Sequence, residues 1–98
     1  MRYQLRSYRV RHGEMDEWLR EWRELVYPLR LEHGFLIVGA WVNRDEDRFV
    51  WMVGHEDFDR ADSAYYVSPQ RTAMDPDPAR HLVEVDTLPL EPILGEGC

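Results

Sequence analysis

A chain of 98 residues has single-domain size, and 44% hydrophobic content with four tryptophans and five tyrosines is the composition of a folded protein, not a disordered one. A formal charge of -7 opposes binding to nucleic acid or to an anionic membrane, because both draw affinity from cations. The lone cysteine, Cys98, excludes an intramolecular disulfide and a cysteine-built metal site; the charged N-terminal stretch excludes a signal peptide or membrane span, and a cytoplasmic location is expected.

From Tyr3 to Val10 the residues alternate as in a strand, and "RHG" ends it. Met15, Trp18, Leu19, Trp22, Leu25, Val26 and Leu29 then recur in threes and fours, which predicts an amphipathic helix over Glu14 to His33. Gly34 stands where a left-handed cap would end that helix, and Pro28, lacking a backbone donor, should kink or interrupt it. "FLIVGAWVN" and "RFVWMVG" read as a hairpin around the four-residue loop "RDED". Asp57 offers an N-cap for a second helix through "FDRADSAYYV"; Ser68 and Pro69 restart it, "DPDP" breaks it, and "HLVEVDTLPLEPI" supplies a last strand.

The order β-α-β-β-α-β is that of a ferredoxin-like α+β fold with a four-stranded antiparallel sheet. Residues 1–93 form one domain and 94–98 a flexible tail. Because both hairpin strands lack a clean polar face, and two helices cover one face of the sheet, the other face is expected to meet a second copy in a homodimer. With "RDED" as the loop, Asn43 faces Arg48. Val42 then pairs with Phe49, Ala40 with Trp51, Val38 with Val53 and Leu36 with His55, while Ile37, Gly39, Trp41, Val50 and Met52 point the other way.

Four stretches resemble the NIPSNAP-like branch of the dimeric α+β barrel proteins. "YQLRSYRVRHG" is similar to that family's opening Tyr-x-Leu-Arg-Thr-Tyr strand, and the first helix carries tryptophan. "HGFLIVGAWV" places Gly39 and Trp41 at a Gly-x-aromatic position, and "HEDFDRAD" is similar to a Tyr-x-Asp segment opening the second helix. The chain departs from the pattern at His55, where tyrosine is frequent, and at Val53, where tryptophan is common. The resemblance implies a place in a superfamily of cofactor-independent monooxygenases acting on aromatic polyketides, cyclases, lactone isomerases and haem-handling proteins, among which the fold does not choose.

His55 ends an apolar strip of Phe49, Trp51 and Val53, and a partly desolvated imidazole there could remove a proton from a phenol or a β-dicarbonyl carbon. Alternatively, it is a strand-end residue hydrogen-bonded to the backbone of the second helix or to Glu56. Arg6 and Tyr8, on the central strand, are candidates to hold a carboxylate or enolate; the alternative partner for Arg6 is Glu84 or Asp86 on the last strand. Trp18 and Trp22 follow helical spacing, as core or as an aromatic pocket wall, and Tyr65, Tyr66 and Arg71 are rim candidates. The four histidines show no metal-ligand spacing, and no glycine-rich phosphate loop or nucleophile elbow is present, so neither metal nor cofactor is expected.

Three functions follow. The first is a cofactor-free cyclase, isomerase or monooxygenase acting on an aromatic or polyketide-like small molecule through His55. The second is a non-catalytic binding or assembly module, and the third a haem-binding protein with a histidine ligand. The enzyme calls for a pocket on the order of a few hundred Å³ beside His55, and the module for packing without space.

Overall fold

The computed structural model describes residues 1–94. Strand β1 (Arg2–Val10) is followed by a long helical stretch, the hairpin β2 (Leu36–Asn43) and β3 (Arg48–His55), and helices α3 (Phe58–Val67) and α4 (Pro69–Thr72). A 3-10 turn at Pro78–His81 then leads into β4 (Leu82–Leu90). The helical stretch comprises α1 (Met15–Glu21), a π-helical segment (Trp22–Val26) and α2 (Tyr27–Glu32). The sheet has the order β2-β3-β1-β4 with every neighbour antiparallel, the ferredoxin-like arrangement. Cys98 and most of the tail expected over 94–98 lie outside the described residues.

One face of the sheet packs on the helices. Tyr8 and Val10 of β1 and Phe49, Trp51 and Val53 of β3 point there, meeting Trp18, Trp22, Val26 and Leu29 of the helical stretch and Phe58 and Tyr65 of α3. The rings interlock edge to face: Trp22 lies 5.2 Å from Phe49 and 5.4 Å from Trp51, centroid to centroid.

The π-helical segment is where Pro28 makes itself felt. In a regular α-helix its ring would collide with the carbonyl four residues back. Here the preceding turn is widened instead, and the Tyr27 N–H donates to the Trp22 carbonyl, five residues away. The widening slips the phase of the helix, so Leu25, expected on the apolar face, is 40% exposed. Beyond it the helix ends on Gly34 at φ 84°. The Phe35 N–H bonds to the Arg30 carbonyl (3.1 Å) and the Gly34 N–H to the Leu31 carbonyl (3.0 Å), the paired bonds of a Schellman cap.

The hairpin follows the register set by its four-residue loop from Asn43–Arg48 through Val42–Phe49 to Ala40–Trp51. Past Gly39 the register differs from expectation. A bulge places Ile37 opposite Val53 and Leu36 opposite Gly54, so the expected pairs Val38–Val53 and Leu36–His55 do not form. Ile37 packs against the core, whereas Val38 is exposed. The two strand tryptophans point opposite ways as expected: Trp51 is buried and Trp41 is 55% exposed on the outer face. There Tyr3, Leu36, Val38, Met52, Leu90 and Leu94 border an open hollow of about 610 Å³.

Helix α4 starts as its sequence predicts, with the Ser68 hydroxyl accepting from the Arg71 N–H and Pro69 in the first turn. Asp57 occupies the cap position of α3, but its side chain makes no capping bond. The backbone N–H of Asp57 itself donates to a histidine, as described below.

Candidate functional site

Three elements bring a charged cluster into the space between sheet and helices. Arg6 shares the inward face of β1 with Tyr8. Arg30 continues a series in steps of four, Trp18, Trp22, Val26 and Arg30, and so projects from the same stripe as the apolar residues. Asp62 and Tyr66 lie one turn apart on α3. The two arginines are 4% and 1% exposed. One carboxylate oxygen, Asp62 Oδ1, accepts from both, at 2.7 Å from Arg30 Nη1 and 3.1 Å from Arg6 Nη2. The Tyr66 hydroxyl also accepts from both, at 3.1 Å from Arg6 Nη1 and 3.3 Å from Arg30 Nη2, and Gln4 Oε1 takes the Arg6 Nε–H at 3.1 Å.

Two buried cations thus share one anion. The remaining charge is spread over aromatic faces: the Arg30 guanidinium lies 3.8 Å from the Tyr65 ring centroid, 4.8 Å from Phe35 and 5.6 Å from Trp51. Burial works against the charge on Arg6, but Tyr8, Tyr66 and Asp62 outweigh it and hold the guanidinium above its usual pKa. Burial pushes the Tyr8 phenol up, with Arg6 pulling part of the way back, so Tyr8 remains an O–H donor at neutral pH.

Beside this cluster runs a narrow slot of about 50 Å³, bordered by Tyr8, Trp18, Trp22, Arg30, Trp51, Tyr65, Tyr66 and Arg71 together with Pro78, Ala79 and Leu82. Three buried donors of its lining residues, the indole N–H groups of Trp18 and Trp22 and the Arg30 Nε–H, have no acceptor among the described residues, and the Trp51 indole N–H has only the Tyr8 hydroxyl beside it, outside good hydrogen-bond geometry. Buried donors of this kind are costly to leave unmatched, and here they surround excess positive charge. An oxygen carrying negative charge would match both the free donors and the excess positive charge. At its edge Arg71 is held to Asp77 at 3.0 Å.

The sequence-based candidates divide around this slot. Tyr8, Trp22, Trp51, Tyr65, Tyr66 and Arg71 border it, and Arg6 stands behind it through Asp62 and Tyr66. Arg6 does not turn to Glu84 or Asp86; Glu84 pairs with Arg9 and Arg48. Phe49 and Val53 are core residues that do not border the slot. Neither does His55, which lines none of the larger hollows formed by the described residues. Its Nδ1 accepts from the Asp57 N–H at 2.8 Å, which leaves the ring proton on Nε2 to donate to the His33 carbonyl at 3.2 Å. With both nitrogens engaged, His55 ties the end of α2 to the start of α3.

Arg30 and Asp62 escaped the sequence reading. The available signal was the four-residue spacing that leads from Trp18 to Arg30, and the acid on the inner face of α3. A second cluster also formed without a local signal: Glu17, Glu21 and His81 each offer a ligand atom within 4.8 Å of one another. Its charges are already matched. His81 lies 2.7 Å from Glu14 and 3.2 Å from Glu21, and Arg80 grips both oxygens of Glu21 at 2.8 Å. A haem does not fit the slot, which no histidine borders.

No described helix is long and apolar enough to cross a membrane. The fold resembles that of a NIPSNAP domain protein from Burkholderia xenovorans, with TM-score 0.82 at 18% identity over 100% of this chain and 98% of that one. A NIPSNAP family protein from Agrobacterium tumefaciens superposes with TM-score 0.83 at 20% identity over 93% and 91%. A structure described as an antibiotic biosynthesis monooxygenase gives 0.70 at 17% identity over 96% and 100%. At such identities the likeness carries the fold alone. No curated protein matches the chain. The NIPSNAP sequence pattern, however, matches residues 3–77, which span β1 through the helices after the hairpin, and the chain belongs to the NIPSNAP family.

Proposed function

We propose that the protein binds a small oxyanionic or enolisable molecule in the slot, with its charged oxygen on Arg30 and Tyr8, and catalyses proton transfer on it without a bound cofactor. The observation that carries this reading is the pair of buried guanidinium groups sharing a single carboxylate beside the unmatched donors of Trp18, Trp22 and Arg30. An acid bound there ionises more readily, since its anion meets fixed positive charge in a poorly solvated site. The space admits the oxygen-bearing head of a ligand, and a larger phenolic or polyketide-like body would have to extend past the half-exposed Tyr66. His55 has no part in this scheme; the proton passes to water at the slot's open side.

Acetylacetone, a compact β-dicarbonyl, is a suitable probe. Binding should quench tryptophan fluorescence, because Trp22 and Trp51 border the slot. Exchange of its central C–H for deuterium, followed by NMR, should be accelerated by the protein and lose most of that acceleration in Arg30→Met. Quenching without accelerated exchange would leave a binding module, the second function open to this sequence. Absence of binding by acetylacetone, phenolates and small carboxylates alike would remove the site reading altogether.

We further propose that two copies associate through their outer sheet faces, in support of which Trp41, Val38, Leu36 and Leu88 are exposed there.

A further inference from the structure

On the side of the molecule away from the outer sheet face, α1, the π-helical segment and α2 form one wall of an open groove of about 630 Å³. Gln70, residues 73–76 and Arg80 form the other. We propose that this groove is a docking site for a short, basic, amphipathic helix of a partner protein.

Three features point to that occupant. The first is the floor: Leu25, Pro28, Leu29 and Met74 give it an apolar strip, and Leu25 belongs to it only because the π-helical segment turns that side chain outward. The second is the rim. Five carboxylates (Glu17, Glu21, Glu24, Glu32 and Asp75) against two arginines (Arg20 and Arg80) give the lining a net charge of -3. Arg20 and Arg80 are committed to Glu24, Glu17 and Glu21, whereas Glu32 and Asp75 have no ion pair among the described residues. The third is length. From Glu17 to Glu32 the wall spans fifteen helical steps, about 22 Å at 1.5 Å per residue, matching a partner helix of about four turns and exceeding what one small molecule spans. Apolar anchors at helical spacing would meet the floor, and lysine or arginine on either flank would meet the rim, the usual division of labour in helix-in-groove recognition.

A fluorescein-labelled 14-residue peptide with leucine at positions 2, 6, 9 and 13 and lysine at the flanking positions tests this by fluorescence anisotropy. Saturable binding that weakens with added salt is expected. It should fall about tenfold or more in Leu25→Asp and in Glu32→Arg, a fold-change of the size expected when a central contact or a rim charge is inverted. Both side chains are exposed, so circular dichroism should report an unchanged fold; should Leu25→Asp fail to fold, Glu32→Arg decides alone. Asp59→Arg, a charge change of the same size outside the groove, should leave binding unchanged. A scrambled peptide of the same composition that binds equally well, competition by spermine as effective as by unlabelled peptide, equal losses in Asp59→Arg, or no saturable binding would each overturn the proposal.

Discussion

At His55, both ring nitrogens are spent on backbone groups at two helix ends, and we propose that its role is mechanical. Replacing it by glutamine keeps one amide able to reach one of those groups, so a loss of about 1 kcal/mol is expected, the net value of one hydrogen bond. The melting temperature of His55→Gln should fall by a few degrees, while ligand-induced tryptophan quenching stays at the wild-type value; a loss of quenching with an unchanged melting temperature would reverse the assignment. The sequence allowed both roles for this histidine because a strand end offers an apolar strip and open backbone donors alike. The positions of Asp57 and His33 favour the hydrogen-bonding role. For Arg6 the sequence implied that a cation on a central strand needs a counter-charge, and it did not reveal which element supplies one. The partner came from α3, 56 residues on, and its second claimant, Arg30, was hidden in a helix whose other inward residues are apolar.

At the scale of elements, helix ends were the most legible features, because capping is local chemistry. Gly34, Ser68 and Pro69 all occupy the roles their residue types announce. The Schellman turn leads to a quantitative expectation. With φ at 84°, an alanine at position 34 pays the left-handed penalty of roughly 1–2 kcal/mol, and its Cβ would also come within 3.2 Å of His55 Nε2. Gly34→Ala should therefore unfold at lower denaturant with an unchanged slope in urea titration. Equal stability would mean that the cap is not held as described. The π-helical turn and the bulge in β2 were not legible. Pro28 signals trouble for a helix, but whether the chain kinks or widens depends on what the next turn packs against. The bulge adds one residue to a run of apolar side chains in which either phase looks acceptable.

For the whole molecule, acid should be a sensitive variable. Arg80 holds the Glu21 carboxyl below its ordinary pKa, against the opposing effect of burial and with help from His81. Asp77 is likewise depressed: burial opposes, and the Ala79 N–H and Arg71 prevail. Groups of this kind stabilise the fold above the unfolded carboxylate range, about pH 4, and that stability is lost as pH falls through their lower folded values. Glu21→Gln should thus be less stable at pH 7 and show a flatter decline between pH 5 and 2 in thermal melts; a parallel decline would assign the acid sensitivity to other groups. Sedimentation addresses assembly: a dimer is expected at micromolar concentration, converted to monomer by Trp41→Asp, and a monomeric wild type would contradict the proposed sheet-face contact. The bulge between Ile37 and Gly39 bears on a different hazard. Strand β2 is a sheet edge, and a straight edge of leucine, isoleucine and valine is a template onto which a stranger's strand can add. The extra residue interrupts the regular ladder of that edge, so the same insertion that sends Ile37 inward also makes β2 a poorer template for an added strand.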